Sequence, residues 1–182
     1  MSTRSRPSPG SGPPILRLTK VLLVATIALF ATLVTFGNIT DYNTNFEFVR
    51  HVLSMDTTLP SSGVRYRAIT SPTIHHIAYG LIILTEGAVA CLCWAGALRL
   101  LRAVPRPAED FNNAKSLAYA GLGLGLMLWQ LGFIVIGGEY FSMWQSSTWN
   151  GVPAAFRFVM MIGLTLVIVA LPDQNKAPTT SE

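Results

Sequence analysis

The chain has 182 residues, of which 51% are hydrophobic and 12% charged, against roughly 25% charged in ordinary soluble domains. So few charges cannot cover a soluble surface, and the length fits one domain. The net charge of +4 comes from basic residues that flank apolar runs instead of gathering into one patch, a membrane pattern that speaks against nucleic acid as a partner.

Residues 1–14 are mostly Ser, Pro, Gly and Arg without apolar periodicity, and are expected to form a disordered tail. Residues 15–36 form the first expected span, free of charge from residue 21 onward. No convincing cleavage site precedes Gly37, so an uncleaved signal anchor is expected. Gly37 and Asn38 read as a helix stop, because both tolerate the left-handed conformation found there.

The segment that follows is the longest polar one in the chain. Thr44 and Glu47 have the spacing of a capping box. At about 100° per residue, Phe46, Phe48, Val49, Val52, Leu53 and Met55 fill one half of a helical wheel, with Glu47, Arg50, His51 and Ser54 on the other. This predicts an amphipathic helix over about residues 45–54. Alone in water so short a helix is marginal, so its apolar half must rest on the lipid interface or on a helix bundle. The plain reading is a surface helix capping the bundle. The sharper one makes Phe46, Phe48, Val49, Arg50 and Leu53 an outer-surface interaction site for a protein partner or lipid.

Residues 59–72 contain Pro60, Gly63 and Pro72 and read as loop. Residues 73–100 form the second span, long enough to tilt, with Glu86 the one carboxylate in its middle. Arg99, Arg102, Pro105, Arg106 and Pro107 mark a basic, proline-broken loop, after which Asp110 or Asn112 is expected to cap the third span, residues 115–137. An aromatic loop over residues 138–151 leads to the fourth span, residues 153–171. The membrane domain is thus residues 15–172, followed by a polar tail, 173–182. Each span approaches the roughly 20 residues needed to cross. The expected fold is an all-α membrane protein, a bundle of four transmembrane helices with an amphipathic helix in the first outer loop. Basic residues collect on the N-terminal side and in the second loop, which predicts both termini in the cytoplasm of an inner membrane.

The run GNITDYNTNFEFVRHVLSMDTT, with residues 73–86 as a second matching stretch, resembles the signature of a bacterial family of predicted small integral membrane proteins, domain of unknown function 2165. The resemblance covers nearly the whole chain after the tail. It implies a small multi-span inner-membrane protein without an assigned activity, and it carries over no catalytic residue.

Among residues that could carry chemistry, Glu86 comes first, since a carboxylate within a span is costly and usually has a role. Eleven residues separate it from His75, which puts His75, Tyr79 and Glu86 on one stripe. Gln130 and Arg157 are the expected partners from the third and fourth spans, so that His75, His76, Tyr79, Arg157, Gln130 and Glu86 form a candidate polar ladder. The plain alternative is a carboxylic acid that hydrogen-bonds between helices while Arg157 snorkels outward.

Adjacent histidines on a helix point about 100° apart, and no other span contains one. No metal or cofactor is therefore expected, although haem and quinone stay open. Cys91 and Cys93 lie inside an apolar run, point to nearly opposite sides of a helix and exclude a disulfide framework. Gly121 and Gly125 form a Gly-x-x-x-Gly that permits close helix approach, within the bundle or in a homo-oligomer. With no complete catalytic constellation, the leading expectation is a non-enzymatic accessory or assembly partner of a membrane complex. The alternative is a small oligomeric transporter or proton-linked ion pathway using Glu86.

Overall fold

The structure is a computed structural model that describes residues 14–174. Most of the two expected tails lies outside that range. Six α-helices are present: α1 Pro14–Thr40, α2 Tyr42–Ser54, α3 Pro72–Ala103, α4 Ala108–Asn113, α5 Ser116–Leu126 and α6 Val152–Ala170. A π-helical stretch, Met127–Tyr140, continues α5, and short 3₁₀ turns occupy Arg65–Arg67 and Met143–Gln145. Proline opens α3 and sits in the first turn of α6, where a missing N–H costs nothing. Four helical stretches, Pro14–Thr40, Pro72–Ala103, Ala108–Tyr140 and Val152–Ala170, are long and apolar enough to cross a membrane, and no strand occurs among the described residues.

The helix ends depart from the sequence reading in informative ways. Gly37 and Asn38 do not stop α1, which runs on to Thr40 and leaves only Asp41 before α2. Neither takes a left-handed conformation; that role falls to Met55, at φ 51°, which closes α2. The expected capping box is not formed. The helix starts at Tyr42 without a side-chain cap, and Glu47 turns forward to Arg50 instead of back to Thr44. Asp110 and Asn112 lie within α4 and do not cap α5, which starts at Ser116.

Small residues set the packing. Val24, Ile27, Ala28 and Ala31 of α1 share a core with Val89, Ala90, Cys93 and Ala97 of α3, Ala118 and Leu122 of α5, and Ile162 of α6. A Cβ on Gly96 would lie 2.6 Å from the Ala118 nitrogen, and one on Gly121 would lie 2.6 Å from Cys93 Sγ. These two glycines bring α3 and α5 within backbone contact, the use expected of small residues between helices in lipid. Past Gly125 the third stretch changes to its wider π-helical spiral and draws away from α3. The gap is an apolar crevice of about 260 Å³ between the two, roofed by Phe48, Val49, Val52 and Leu53 of α2. The outward surface of the spans is apolar, with Leu22, Leu33, Leu84, Leu164 and Val167 all exposed, as a lipid-facing surface requires.

The first and last described residues lie at one end of the bundle, here the terminal end; α2 and the two long loops form the distal end. A charge clamp holds the terminal end together. The Arg17 side chain is 0% exposed, donates through Nη1 to the carbonyls of Val104 and Arg106, and lies 3.6 Å from Asp173. Lys20 Nζ and Lys115 Nζ both donate to the Leu171 carbonyl and pair with Asp173 at 2.7 and 2.9 Å. Asn112 completes the clamp, donating to the Asp173 carbonyl and accepting from its N–H. Burial pushes the Asp173 carboxyl up, but the hydrogen bonds from Lys20 and Lys115 outweigh it and hold the carboxyl below its usual range.

Candidate functional site: the distal cap and the carboxylate beneath it

The cap is built from α2 and the loop after the third stretch. Val52 and Met55 are buried against Phe141 and Met143, and Phe48, Leu53, Val64, Ala68 and Ile69 pack around that cluster. The Ile69 N–H donates to the Leu53 carbonyl at 2.8 Å, tying the first loop to the end of α2. Phe48 lies near Phe133 and Trp149, and a Cβ on Gly151 would meet its ring at 2.7 Å. His51 stacks on Trp149 at 4.6 Å and bonds Asp56 through Nδ1 at 2.8 Å.

Charges on the solvent side of α2 are paired. Arg50 donates twice to Glu47 Oε2 and lies 3.7 Å from Asp56. The Arg50 hydrogen bond holds the Glu47 carboxyl below its usual range, and the same bond raises the Arg50 guanidinium. Between α2 and the start of α3 lies a polar cleft of about 340 Å³, lined by Phe46, Arg50, Ser54, Asp56, His75 and His76 among others. Phe46 stacks on His76 at 4.2 Å with the rings 8° apart, and the Tyr42 hydroxyl is hydrogen-bonded to His76 Nδ1 at 2.8 Å. Of the residues proposed for the outer surface, Phe46 and Arg50 therefore line the cleft. Phe48, Val49 and Leu53 instead face the apolar crevice beneath.

The two histidines part as their helical angle requires. His75 is buried and donates from Nε2 to the Ile69 carbonyl at 2.7 Å, while His76 is exposed. Among the described residues no three His, Cys, Asp or Glu side chains gather as a metal site.

Below His75 the stripe continues through Tyr79 to Glu86, and both are 2% exposed. Their partner is Asn38 of α1. Asn38 Nδ2 donates to Glu86 Oε2 at 2.7 Å, and the Tyr79 hydroxyl donates to the Asn38 carbonyl at 3.1 Å. Gln130 and Arg157 are exposed and do not meet Glu86, which corrects the expected ladder. They project from the lipid-facing sides of their helices, where register and not depth decides. Asn38 escaped the sequence reading because Gly-Asn after an apolar run is also the mark of a helix end. Its one usable signal was position: an amide near the end of α1 at the height of a carboxylate in α3.

Asn38 follows Lys20 by 18 positions along α1, about 27 Å of helix rise, so the Asn38–Glu86 pair lies well away from the clamp, on the side of the cap. From there to the clamp the core is Val24, Ile27, Ala28, Ala31, Val89, Ala90, Leu122 and Ile162, with Cys93 and Thr165 the polar exceptions. A proton or ion reaching Glu86 from the cleft would meet an apolar layer beyond it.

A family model described as "Predicted small integral membrane protein (DUF2165)" matches residues 16–172. No curated protein and no solved structure matches the chain.

Proposed function

From the premise that the chain belongs to this family of predicted small integral membrane proteins, we propose that it is a non-enzymatic accessory or assembly partner of a membrane complex, and that its distal cap receives the partner. The observation that carries the reading is the cleft between α2 and α3. Its walls are held in place before any partner arrives, by the Phe46–His76 stack, the Arg50–Glu47 pair and the buried cluster under α2. A preformed surface of this kind binds without the cost of ordering its own side chains. The setting is a bacterial inner membrane with both termini cytoplasmic. Arg17, Lys20, Arg99, Arg102, Arg106 and Lys115 all belong to the terminal end, which is the positive-inside pattern.

Transport through Glu86 is the competing reading. Against it stand the Asn38 hydrogen bond, which accounts for the carboxylate locally, and the apolar layer between Glu86 and the terminal end.

Photo-crosslinking residues placed at Phe46 and Ser54, with Leu164 on the lipid face as control, test the proposal in native membranes. The expected result is a discrete protein adduct from both cleft positions, lost on Arg50→Glu, and none from Leu164. Absence of adducts at Phe46 and Ser54, or equal adducts at Leu164, overturns it.

A further inference from the structure

At the opposite end of the molecule, the last turns of α3 run into the loop before α4. Arg99 and Arg102 lie three residues apart in the last turns of α3, and Arg106 follows in the turn after it. Together with Asp110, Asn113 and Ala114 they line a polar cleft of about 290 Å³. Arg99 Nη1 donates to Ser116 Oγ at 3.1 Å. Among the described residues, the side chains of Arg102 and Arg106 have no hydrogen-bond or ion-pair partner.

The backbone behind the cleft is held by another cation. Buried Arg17 draws the carbonyls of Val104 and Arg106 onto its Nη1, while its Nε and Nη2 make no hydrogen bond. Around this end six cations (Arg17, Lys20, Arg99, Arg102, Arg106, Lys115) face three carboxylates (Glu109, Asp110, Asp173). Asp173 is already shared among the buried three. The cleft is therefore short of negative charge.

We propose that the Arg99–Arg102–Arg106 cleft is a binding site for the phosphate of an anionic phospholipid headgroup, from the leaflet on the terminal side. Two observations select a lipid over other anions. The cleft lies at the end of α3, a helix long and apolar enough to cross a membrane. Immediately before Arg99 and Arg102 on the same helix, Leu98 and Leu101 are exposed, giving acyl chains an apolar surface beside the headgroup. Guanidinium groups match phosphate oxygens in pairs, and basic pockets between spans are recurrent headgroup sites.

The test is native mass spectrometry of the full chain released from bilayers of equal phosphatidylglycerol and phosphatidylcholine. Bound lipid is counted for the wild type, for Arg102→Gln/Arg106→Gln, and for Arg157→Gln, an exposed arginine near the distal end. Thermal melting confirms that each variant is folded; both cleft side chains are exposed, so their loss leaves the core intact. The wild type and Arg157→Gln should retain phosphatidylglycerol in preference to phosphatidylcholine. The double variant should lose that preference roughly thirtyfold, since each arginine near an anionic headgroup contributes about 1 kcal/mol. Equal retention of the two lipids by the wild type, or unchanged preference in the double variant, overturns the proposal. Displacement of phosphatidylglycerol by inorganic phosphate added to the bilayers would make this a soluble-anion site and overturn the lipid assignment.

Discussion

At the scale of single residues, the structure turns on two carboxylates with opposite surroundings. Glu86 is buried with a neutral amide, Asn38, and Asp173 is buried with three cations. Replacing Asn38 by Leu leaves the Glu86 oxygen without its donor and should destabilise the bundle by about 1–3 kcal/mol, read as a lower melting temperature in detergent. Glu86→Gln keeps a group that can bond Asn38 and should melt near the wild type, whereas Glu86→Leu should match Asn38→Leu. If Glu86→Gln is as damaging as Glu86→Leu, the hydrogen-bonding account fails.

Asp173 should matter more. Removing one partner from a buried ionic cluster costs about 3–5 kcal/mol, and Asp173→Asn leaves Arg17, Lys20 and Lys115 without their carboxylate. The pH dependence follows from the depressed folded-state value. The stabilisation from Asp173 is fully present above the unfolded-state pKa, about 3.9, and is lost as pH falls below it through the folded value. Wild-type melting should therefore shed this contribution only in acid, and Asp173→Asn should lack it already at neutral pH. Melting curves of the two proteins from pH 7 to pH 3 measure both effects.

Elements joined by close contact make the next scale. The contact of α3 with α5 depends on Gly121, where a Cβ would come within 2.6 Å of Cys93 Sγ and 2.9 Å of the Cys93 nitrogen. The backbone atom cannot swing aside, so Gly121→Val should force the helices apart at a cost of about 1–3 kcal/mol. At the cap, Gly151→Val should displace Phe48, and with it α2. Thermal melts and protease sensitivity near Leu59 distinguish the two, since only the second should open the cap while leaving the spans folded.

The same scale shows what the sequence could and could not reveal. Four apolar runs separated by charged and proline-broken segments announce four spans, because hydrocarbon admits little else. Register between helices leaves no such mark. Whether residue 38 or residue 130 meets Glu86 depends on rotations that an apolar helix carries silently, since any face of it is acceptable to lipid. Arg17 and Lys20 looked like charges flanking a span and are instead buried, because the carboxylate that makes burial tolerable lies more than 150 residues away. The departure of Met127–Tyr140 from α-helical spacing was equally hidden; it changes the spiral without changing the composition.

For the whole molecule, antiparallel spans place residues 59–63 and the loop at residues 141–151 on one side of the membrane, and the loop at residues 104–107 on the other. In a Cys91→Ala/Cys93→Ala background, Ser61→Cys and Ser147→Cys should react with an impermeant thiol reagent applied to intact cells, and Pro107→Cys only after permeabilisation. Opposite behaviour of Ser61 and Ser147 would be incompatible with the fold. Reversal of all three would leave the fold standing and invert the proposed orientation.

The terminal clamp also imposes an order in time. Arg17 and Lys20 leave the ribosome first among its members, and Asp173 leaves last, 153 residues after Lys20. Until Asp173 is made, Arg17 and Lys20 lack the carboxylate that pairs with them in the finished clamp. The clamp closes only once residue 173 has been made. A chain cut short before residue 173 would contain all four spans and lack the carboxylate that latches their terminal end.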